Sequence, residues 1–400
     1  MTLDHVWAGV DIGKEHHHAV VIDGAGNRLL SRRVLNDESA LRQLVAAVSD
    51  LADQVDWALD IVSGESALLL ALLSGREQQV FYITGSQVNR ASDGYRGAGK
   101  TDAKDAAIIA DQARMRRDLT PVRFDDELMA ELRTLVTRRR DLAGDRVRLV
   151  NRLHQQLLTV SPALERALDL TNHGPLILLS RYQTPEAIRR AGVEEIRQWL
   201  RSQKVRSAAA LAERAVTAAA AQHVTLPGQQ LAAELVADMA KGVIALDEQL
   251  KHIGKLIEDR FRRHRTAKIL LSMPGIGDLL GAEFLVATGG DMAAFASADR
   301  LAGLAGVAPK PRDSGRVSGN LHRPRHYHRG LQRVFYQSAL VSIRTNNQSR
   351  VFYDRKRSEG KSHTQAVLAL ARRRVNVLWA MLRDNRCYSS TLPSPVVAAA

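Results

Sequence analysis

The sequence predicts an α/β domain at the N-terminus followed by a mostly helical remainder, and three observations carry that expectation. Short β-rich runs alternate with amphipathic segments up to about residue 125. A proline-free stretch with leucines every seven residues begins at Asp126, and the final third consists of apolar helices broken by glycine turns. With 400 residues, 45% of them hydrophobic, the chain suffices for two or three domains with cores of their own.

Residues 6–11 form a short apolar run rich in β-formers that ends on an acid, which reads as a first strand with Asp11 at its exit. Residues 19–23 and 28–34, separated by Gly24-Ala25-Gly26-Asn27, read as the second and third strands of an antiparallel meander. A helix is expected over 39–52, where Leu41, Leu44, Val45, Val48 and Leu51 share one stripe. Residues 57–62 then form a buried strand with Asp60 in its middle or at its end. After a helix at 65–73 and a strand at 79–83, Thr101 is placed to cap a helix on which Asp102 and Asp105, three apart, share a face.

A single Asp at a strand end is ordinarily a turn former, and acids in a helix's first turn ordinarily complement the helix dipole. Burying a carboxylate is costly unless a cation pairs with it, so four acids converging from two apolar strands and one helix call for a different explanation. Asp11, Asp60, Asp102 and Asp105 fall where an RNase H-like fold would gather them. Two-metal phosphoryl chemistry requires such hard oxygen donors, because Mg²⁺ takes carboxylates and waters and neutralises charge on both the attacking and the leaving oxygen.

Two competing patterns lie in the same region. Gly94-Tyr95-Arg96-Gly97-Ala98-Gly99-Lys100-Thr101 fits the P-loop spacing, but a working P-loop follows a buried strand and residues 86–93 are polar. The segment reads instead as a flexible basic lead-in whose Arg96 and Lys100 touch a nucleic-acid backbone. The sugar-kinase and actin-type fold also opens with strand-Asp-x-Gly, yet nothing later resembles its second phosphate loop. His16, His17 and His18 do not read as metal ligands, since consecutive strand residues face opposite ways.

Lys and Arg number 57 against 43 Asp and Glu, a formal charge of +14, with a pI near 10.2. That balance favours an anionic partner, nucleic acid before membrane, because no stretch approaches the length of a transmembrane span. No signal peptide is recognisable. The lone cysteine, Cys387, permits neither an internal disulfide nor a cysteine-based zinc site and fits a reducing cytoplasm.

From Asp126 to about Val160, Leu128, Leu135, Leu142 and Leu149 recur every seven residues, with Leu132 and Leu153 between them; Arg139 and Arg146 interrupt the seam. Met239, Val243, Leu246, Leu250, Ile253 and Ile257 keep a matching rhythm, so an antiparallel or intersubunit coiled coil is expected, with a homo-oligomer, dimer or tetramer. Arg138, Arg139 and Arg140 are candidates for nucleic-acid contact. Residues 161–227 read as a short-helix insertion without assigned chemistry. The expected domains are thus 1–125, 126–265 and 266–387, with 388–400 as a disordered tail.

In the last third, Pro274-Gly275-Ile276-Gly277 joins two apolar helices in the manner of a helix-hairpin-helix, where Gly275 and Gly277 would let backbone N–H groups approach a phosphate. Beyond it, Arg316, His322, Arg323, Arg325, Tyr327 and Arg329 interleave cations with aromatic groups, a composition suited to phosphates and unpaired bases.

Taken together, Asp11, the Thr101-Asp102-Ala103-Lys104-Asp105-Ala106 helix start, Pro274-Gly275-Ile276-Gly277 and Asp313-Ser314-Gly315 followed by a basic stretch resemble the DEDD transposases of bacterial insertion sequences, relatives of the Piv invertase and of bridge-RNA-guided recombinases. The resemblance covers nearly the full length. It implies a RuvC-like (RNase H-like) N-terminal domain holding Mg²⁺ through the four acids, as two ions with Mn²⁺ as a substitute, and a C-terminal transposase domain supplying Ser314 as nucleophile. It further implies element-end and target DNA as substrates and a noncoding RNA that selects them by base pairing. The family's second acid is commonly Glu, whereas this chain has Asp60, with Glu65 as the nearby alternative. A RuvC-like structure-selective nuclease or Holliday-junction resolvase would need the acids but not Ser314.

Overall fold

The computed structural model describes residues 3–61, 64–95, 99, 101–117, 119–122, 127–290, 292, 295–316, 318–322 and 324–389. The chain divides into two compact units, Met1–Asp126 and Glu127–Ala400.

The first unit runs β1 (Leu3–Asp11), β2 (His16–Ile22), β3 (Arg28–Leu35), α1 (Glu38–Ser49), β4 (Ala52–Leu59), a 3-10 turn at Gly64–Ser66, α2 (Ala67–Ser74), β5 (Gln79–Tyr82), α3 (Gly85–Ser92), α4 (Asp102–Met115) and β6 (Thr120–Pro121). The sheet order is β3-β2-β1-β4-β5-β6. β1, β2 and β3 pair antiparallel, whereas β4 lies parallel to β1 and β5 parallel to β4. This antiparallel meander continued by parallel strands is the arrangement expected of an RNase H-like sheet.

Strand periodicity sorts the side chains between two faces. Val6, Ala8, Val10, Ala19, Val21, Trp57 and Leu59 bury against the leucines of α1 and α2. The alternate residues Val20, Ile22 and Ala58 belong to the opposite face and cluster with α4 residues Ala106, Ala110, Ile108 and Ile109. Gly9 makes that packing close: a Cβ there would stand 2.3 Å from both the Ala106 carbonyl oxygen and the Ala110 nitrogen.

The strand expected at 57–62 begins and ends earlier. Ala52 and Val55 are buried as its first inward residues, so β4 displaces the end of the expected helix, which stops at Ser49, and Asp60 lies just beyond the strand. The polar segment before the P-loop-like run is helix α3 rather than a strand. Thr84 caps it in a capping box with Gln87, whose side chain accepts from the Thr84 N–H at 2.8 Å. A nucleotide loop of the strand–loop–helix kind is therefore excluded there.

The second unit runs α5 (Glu127–Leu158), α6 (Pro162–Ala167), α7 (His173–Leu179), α8 (Pro185–Ser202), α9 (Ala208–Ala220), α10 (Gln229–Arg262), α11 (Ala267–Ser272), α12 (Asp278–Thr288), α13 (Ala298–Leu304), β7 (Lys310–Pro311), β8 (Leu321–His322), α14 (Arg329–Thr345), α15 (Asn347–Ser358) and α16 (His363–Arg383). The long helices α5 and α10 pack antiparallel within one chain. Arg146 pairs with Asp247, Arg260 with Glu131 at 2.7 Å, and Gly242 faces the Leu149 side chain, so position rises on one helix as it falls on the other. Arg146, an interruption in the apolar seam, is thus matched by an acid on the facing helix.

Helices α6 to α9 build a core with the adjoining ends of this pair, around Leu157, Leu176, Ile188, Leu211 and Val236. A separate core joins α11 to α16 with the other ends, through Leu132, Phe261, Phe284, Leu331, Phe335 and Leu378. Tyr388 falls in the segment expected to be a tail, yet its N–H donates to the Ser272 hydroxyl at 2.8 Å and its ring packs against this core; residues 390–400 lie outside the described residues. Among the described residues, no helix is long and apolar enough to cross a membrane.

Candidate active site

In the parallel β1–β4 ladder Val10 is level with Leu59, so Asp11 and Asp60 leave neighbouring strands at the same height. Both are one residue out of phase with the inward-facing Val10 and Leu59, which turns them to the face covered by α4. Thr101 caps α4 by accepting from the Lys104 N–H at 3.2 Å, and this helix start presents Asp105 to the same place. Asp11, Asp60 and Asp105 line one cleft of about 230 Å³ with Lys104 and, from α3, Asn89 and Ser92.

Burial pushes the Asp60 carboxyl above the usual carboxylate range, the Asp105 charge adding to the rise, while backbone amides including Ile12 oppose it. The Ile12 N–H donates to Asp60 Oδ1 at 3.4 Å. Tyr82 is raised as well, first by burial and then by the Asp60 charge. Like charges crowded in a desolvated cleft favour proton uptake, and a divalent cation would relieve the same cost. Asp102 is exposed at the edge of the group; its charge reaches His18, the cross-strand partner of Asp11, whose pKa is lowered chiefly by burial despite that charge.

The structure therefore brings three of the four acids to one cleft and leaves Asp102 at its rim. Among the described residues no three acidic, histidine or cysteine side chains are gathered tightly enough to hold a metal ion as they stand. The donor set still suits Mg²⁺, being hard carboxylate oxygens at least one of which carries a desolvation penalty. Glu65 is exposed and outside the cleft lining, so Asp60 is the acid that follows β4 into it. His17 is buried on the α1/α2 side while His16 and His18 are half-buried, the alternation expected along a strand.

Sequence reading missed Lys104, Asn89 and Ser92. Lys104 lies between the two helix acids in the motif already singled out, and the Thr-x-x-Gln box at residues 84–87 announces the helix carrying the other two. Arg96 and Lys100 lie outside the described residues, as does Arg323 in the second unit.

In the second unit, β7 and β8 form a short hairpin with Ser314, exposed, in the connection between them. Asp313 braces the connection by accepting from the Asn320 N–H at 3.0 Å. Arg316, Arg325 and Arg329 are exposed. The turn from α11 to α12 places Gly275 at φ +81°, with room for a Cβ denied by the Ser338 carbonyl at 2.5 Å. Buried Arg374 ties this turn down, donating to the Pro274 carbonyl and to the Ser338 hydroxyl, the latter at 2.6 Å. A cleft of about 550 Å³ beside it is lined by Gly275, Gly277, Asp278 and Arg139. Arg139 is lowered by burial, whereas Arg138 and Arg140 are exposed.

Comparison with known proteins now bears on these features. Residues 8–162 match the DEDD-type IS110 transposase profile, and residues 267–354 match that of the transposase IS116/IS110/IS902 family. The chain is 58% identical, over 99% of both chains, to the insertion element IS900 uncharacterized 42 kDa protein of Mycobacterium paratuberculosis. It is 30% identical to the pilin gene-inverting protein of Moraxella bovis over 36% of this chain and 45% of that one. T. thermophilus RuvC, solved in complex with a Holliday junction substrate, aligns at 18% identity over 30% of this chain and 99% of its own, with a TM-score of 0.23, too low to bear on the fold.

Proposed function

Because the chain belongs to the IS116/IS110/IS902 family of transposases, we propose that it cuts and rejoins DNA strands at the ends of an insertion element and at its target, using the acidic cleft and Ser314 together. The reading rests on one observation above all: the β1–β4 register and the close seat of α4 bring Asp11, Asp60 and Asp105 to a single cleft. These three carboxylates, with Asp102 at the rim, would hold Mg²⁺, probed also with Mn²⁺. Such ions supply charge neutralisation on a phosphate and on its leaving oxygen.

The protein's own groups perform the remaining work. The Ser314 hydroxyl attacks the DNA phosphorus; its Oγ–P bond forms as the P–O bond to a deoxyribose oxygen of the strand breaks, and that oxygen leaves as a hydroxyl, taking up the equivalent of the proton the serine gives up. A deoxyribose hydroxyl of the exchanged strand then attacks the phosphoserine, reforming a phosphodiester and returning the serine. One phosphoester replaces another at each step, so strands reseal without an external energy source. Exposure of Ser314 on a braced hairpin suits such an attack.

Lys104 opposes the carboxylate charge within the cleft and is suited to orient the approaching phosphate. The α11–α12 turn would act as a helix-hairpin-helix, the backbone N–H groups of Gly275 and Gly277 meeting a phosphate on the open side of Gly277, with Arg138, Arg139, Arg140, Arg316, Arg325 and Arg329, and Arg96, Lys100 and Arg323 outside the described residues, contacting backbone. A noncoding bridge RNA would select the DNA by pairing, and the paired long helices would serve a coiled-coil homo-oligomer. The test is to copurify RNA with the protein, add element-end DNA and Mg²⁺, and resolve protein–DNA adducts on denaturing gels. An adduct abolished by Ser314→Ala supports the reading. Full strand cleavage by that variant would identify a nuclease that uses water instead.

A further inference from the structure

Beyond the basic loop lies a second concentration of positive charge which, Arg374 apart, belongs neither to the acidic cleft nor to the glycine turn. From Arg344 to Arg386 the chain carries eleven Lys and Arg against three Asp and Glu, an excess of eight within a total of +14. The excess falls on α15, α16 and their connection, mostly beyond residue 354, where the second family match ends.

Its centre is Phe352. Arg355 and Arg373 each place a guanidinium carbon 5.1 Å from the ring centroid, and the Lys356 ammonium lies at 5.7 Å. Glu359 answers Lys356 at 2.7 Å and Arg355 at 3.7 Å, while Arg373 has no carboxylate partner among the described residues. Each cation gains from the ring quadrupole, but three cations around one ring repel one another, and a single carboxylate offsets only part of that repulsion. A surface of this kind is stabilised by bringing a polyanion to it.

We propose that the α15–α16 face is a docking surface for the phosphate backbone of double-stranded DNA, separate from the acidic cleft and from the glycine turn. The duplex is favoured over unpaired nucleic acid by what the face withholds. Single strands are bound by stacking bases on open rings, yet Phe352 packs against the core and is ringed by cations, and the Tyr353 hydroxyl is engaged by His363 Nδ1 at 2.8 Å. Charge without a stacking platform suits a regular array of phosphates, read without regard to sequence.

The test measures binding of the full-length protein to a short duplex of unrelated sequence by fluorescence anisotropy across a salt series in EDTA. Without a divalent cation, the result is independent of the cleavage chemistry and of the reading of Ser314. Each phosphate contact contributes about 0.9 to the slope of log K against log salt, so Arg355→Ala/Lys356→Ala/Arg373→Ala should flatten the slope by about 3. Removing equal charge elsewhere, by Arg190→Ala/Lys241→Ala/Lys251→Ala, should leave it unchanged. If the triple variant melts early, Arg373→Gln alone should still lower the slope by about 1. An unchanged slope in both variants overturns the proposal. So does a loss confined to a single-stranded or duplex RNA probe while DNA binding stays intact.

Discussion

Replacing Gly9 with alanine tests how the site is assembled, because Gly9 touches neither metal nor DNA in this account. The added Cβ would lie 2.3 Å from the Ala106 oxygen and the Ala110 nitrogen and 2.9 Å from Ala110 Cα, against an ordinary contact of 3.4 Å or more. These are backbone atoms of α4, so no side chain can swing aside, and the helix must retreat by roughly 1 Å. Overpacking of this kind costs about 1–3 kcal/mol. At about 4 °C per kcal/mol for a domain of this size, the melting temperature should fall by several degrees. Asp105 precedes Ala106 and moves with it; a displacement near 1 Å at a reacting centre lowers rate by on the order of 10²-fold. The assay pairs calorimetry with single-turnover cleavage of element-end DNA in Mg²⁺. A variant that melts early but cuts at the wild-type rate per folded molecule would refute the claim that α4 positions a working carboxylate.

Two further predictions follow from buried charge. Burial holds the folded pKa of Asp60 above its unfolded value, so the penalty is absent below the unfolded pKa and develops as pH rises through the folded one. Asp60→Asn, which keeps an acceptor for the Ile12 N–H, should therefore raise the melting temperature in EDTA at neutral pH and lose that advantage as pH falls through the carboxylate range; equal melting at neutral pH would contradict the shift. Arg374, lowered by burial to about 10 and still charged at neutral pH, holds the Pro274 carbonyl and the Ser338 hydroxyl. Arg374→Ala should cost about 2–4 kcal/mol through the vacated space and the stranded polar groups, a loss that urea unfolding would register and whose absence would show the turn to be held by packing alone.

Much of the first unit was readable because strand alternation and apolar stripes are local signals. The meander, the β4 acid and the Thr101 cap all depend on neighbours in sequence, and each was found where its residues indicated. The β4 boundary is not legible in the sequence because Asp53 and Gln54 interrupt an apolar run that the parallel ladder nevertheless continues to Ala52. Helix α3 is signalled in the sequence by the Thr84–Gln87 capping box and not by a long apolar stripe, which its polar residues do not provide. The exposure of Asp102 was not readable either. Sequence spacing puts it on the Asp105 face, but in the structure its side chain is exposed and does not line the cleft. The cation cluster at Phe352 depends on two helices meeting, so Arg373 gave no sign of belonging with Arg355.

The central claim is that Asp11, Asp60 and Asp105 share divalent cations on the DNA-bound protein. Manganese binding followed by electron paramagnetic resonance, in the Ser314→Ala background with duplex DNA present, tests it directly. The account predicts that Asp11→Asn, Asp60→Asn and Asp105→Asn each weaken Mn²⁺ binding by more than the about tenfold that loss of an outer partner brings, while Glu65→Gln leaves it unchanged. Undiminished Mn²⁺ affinity in all three aspartate variants would contradict it.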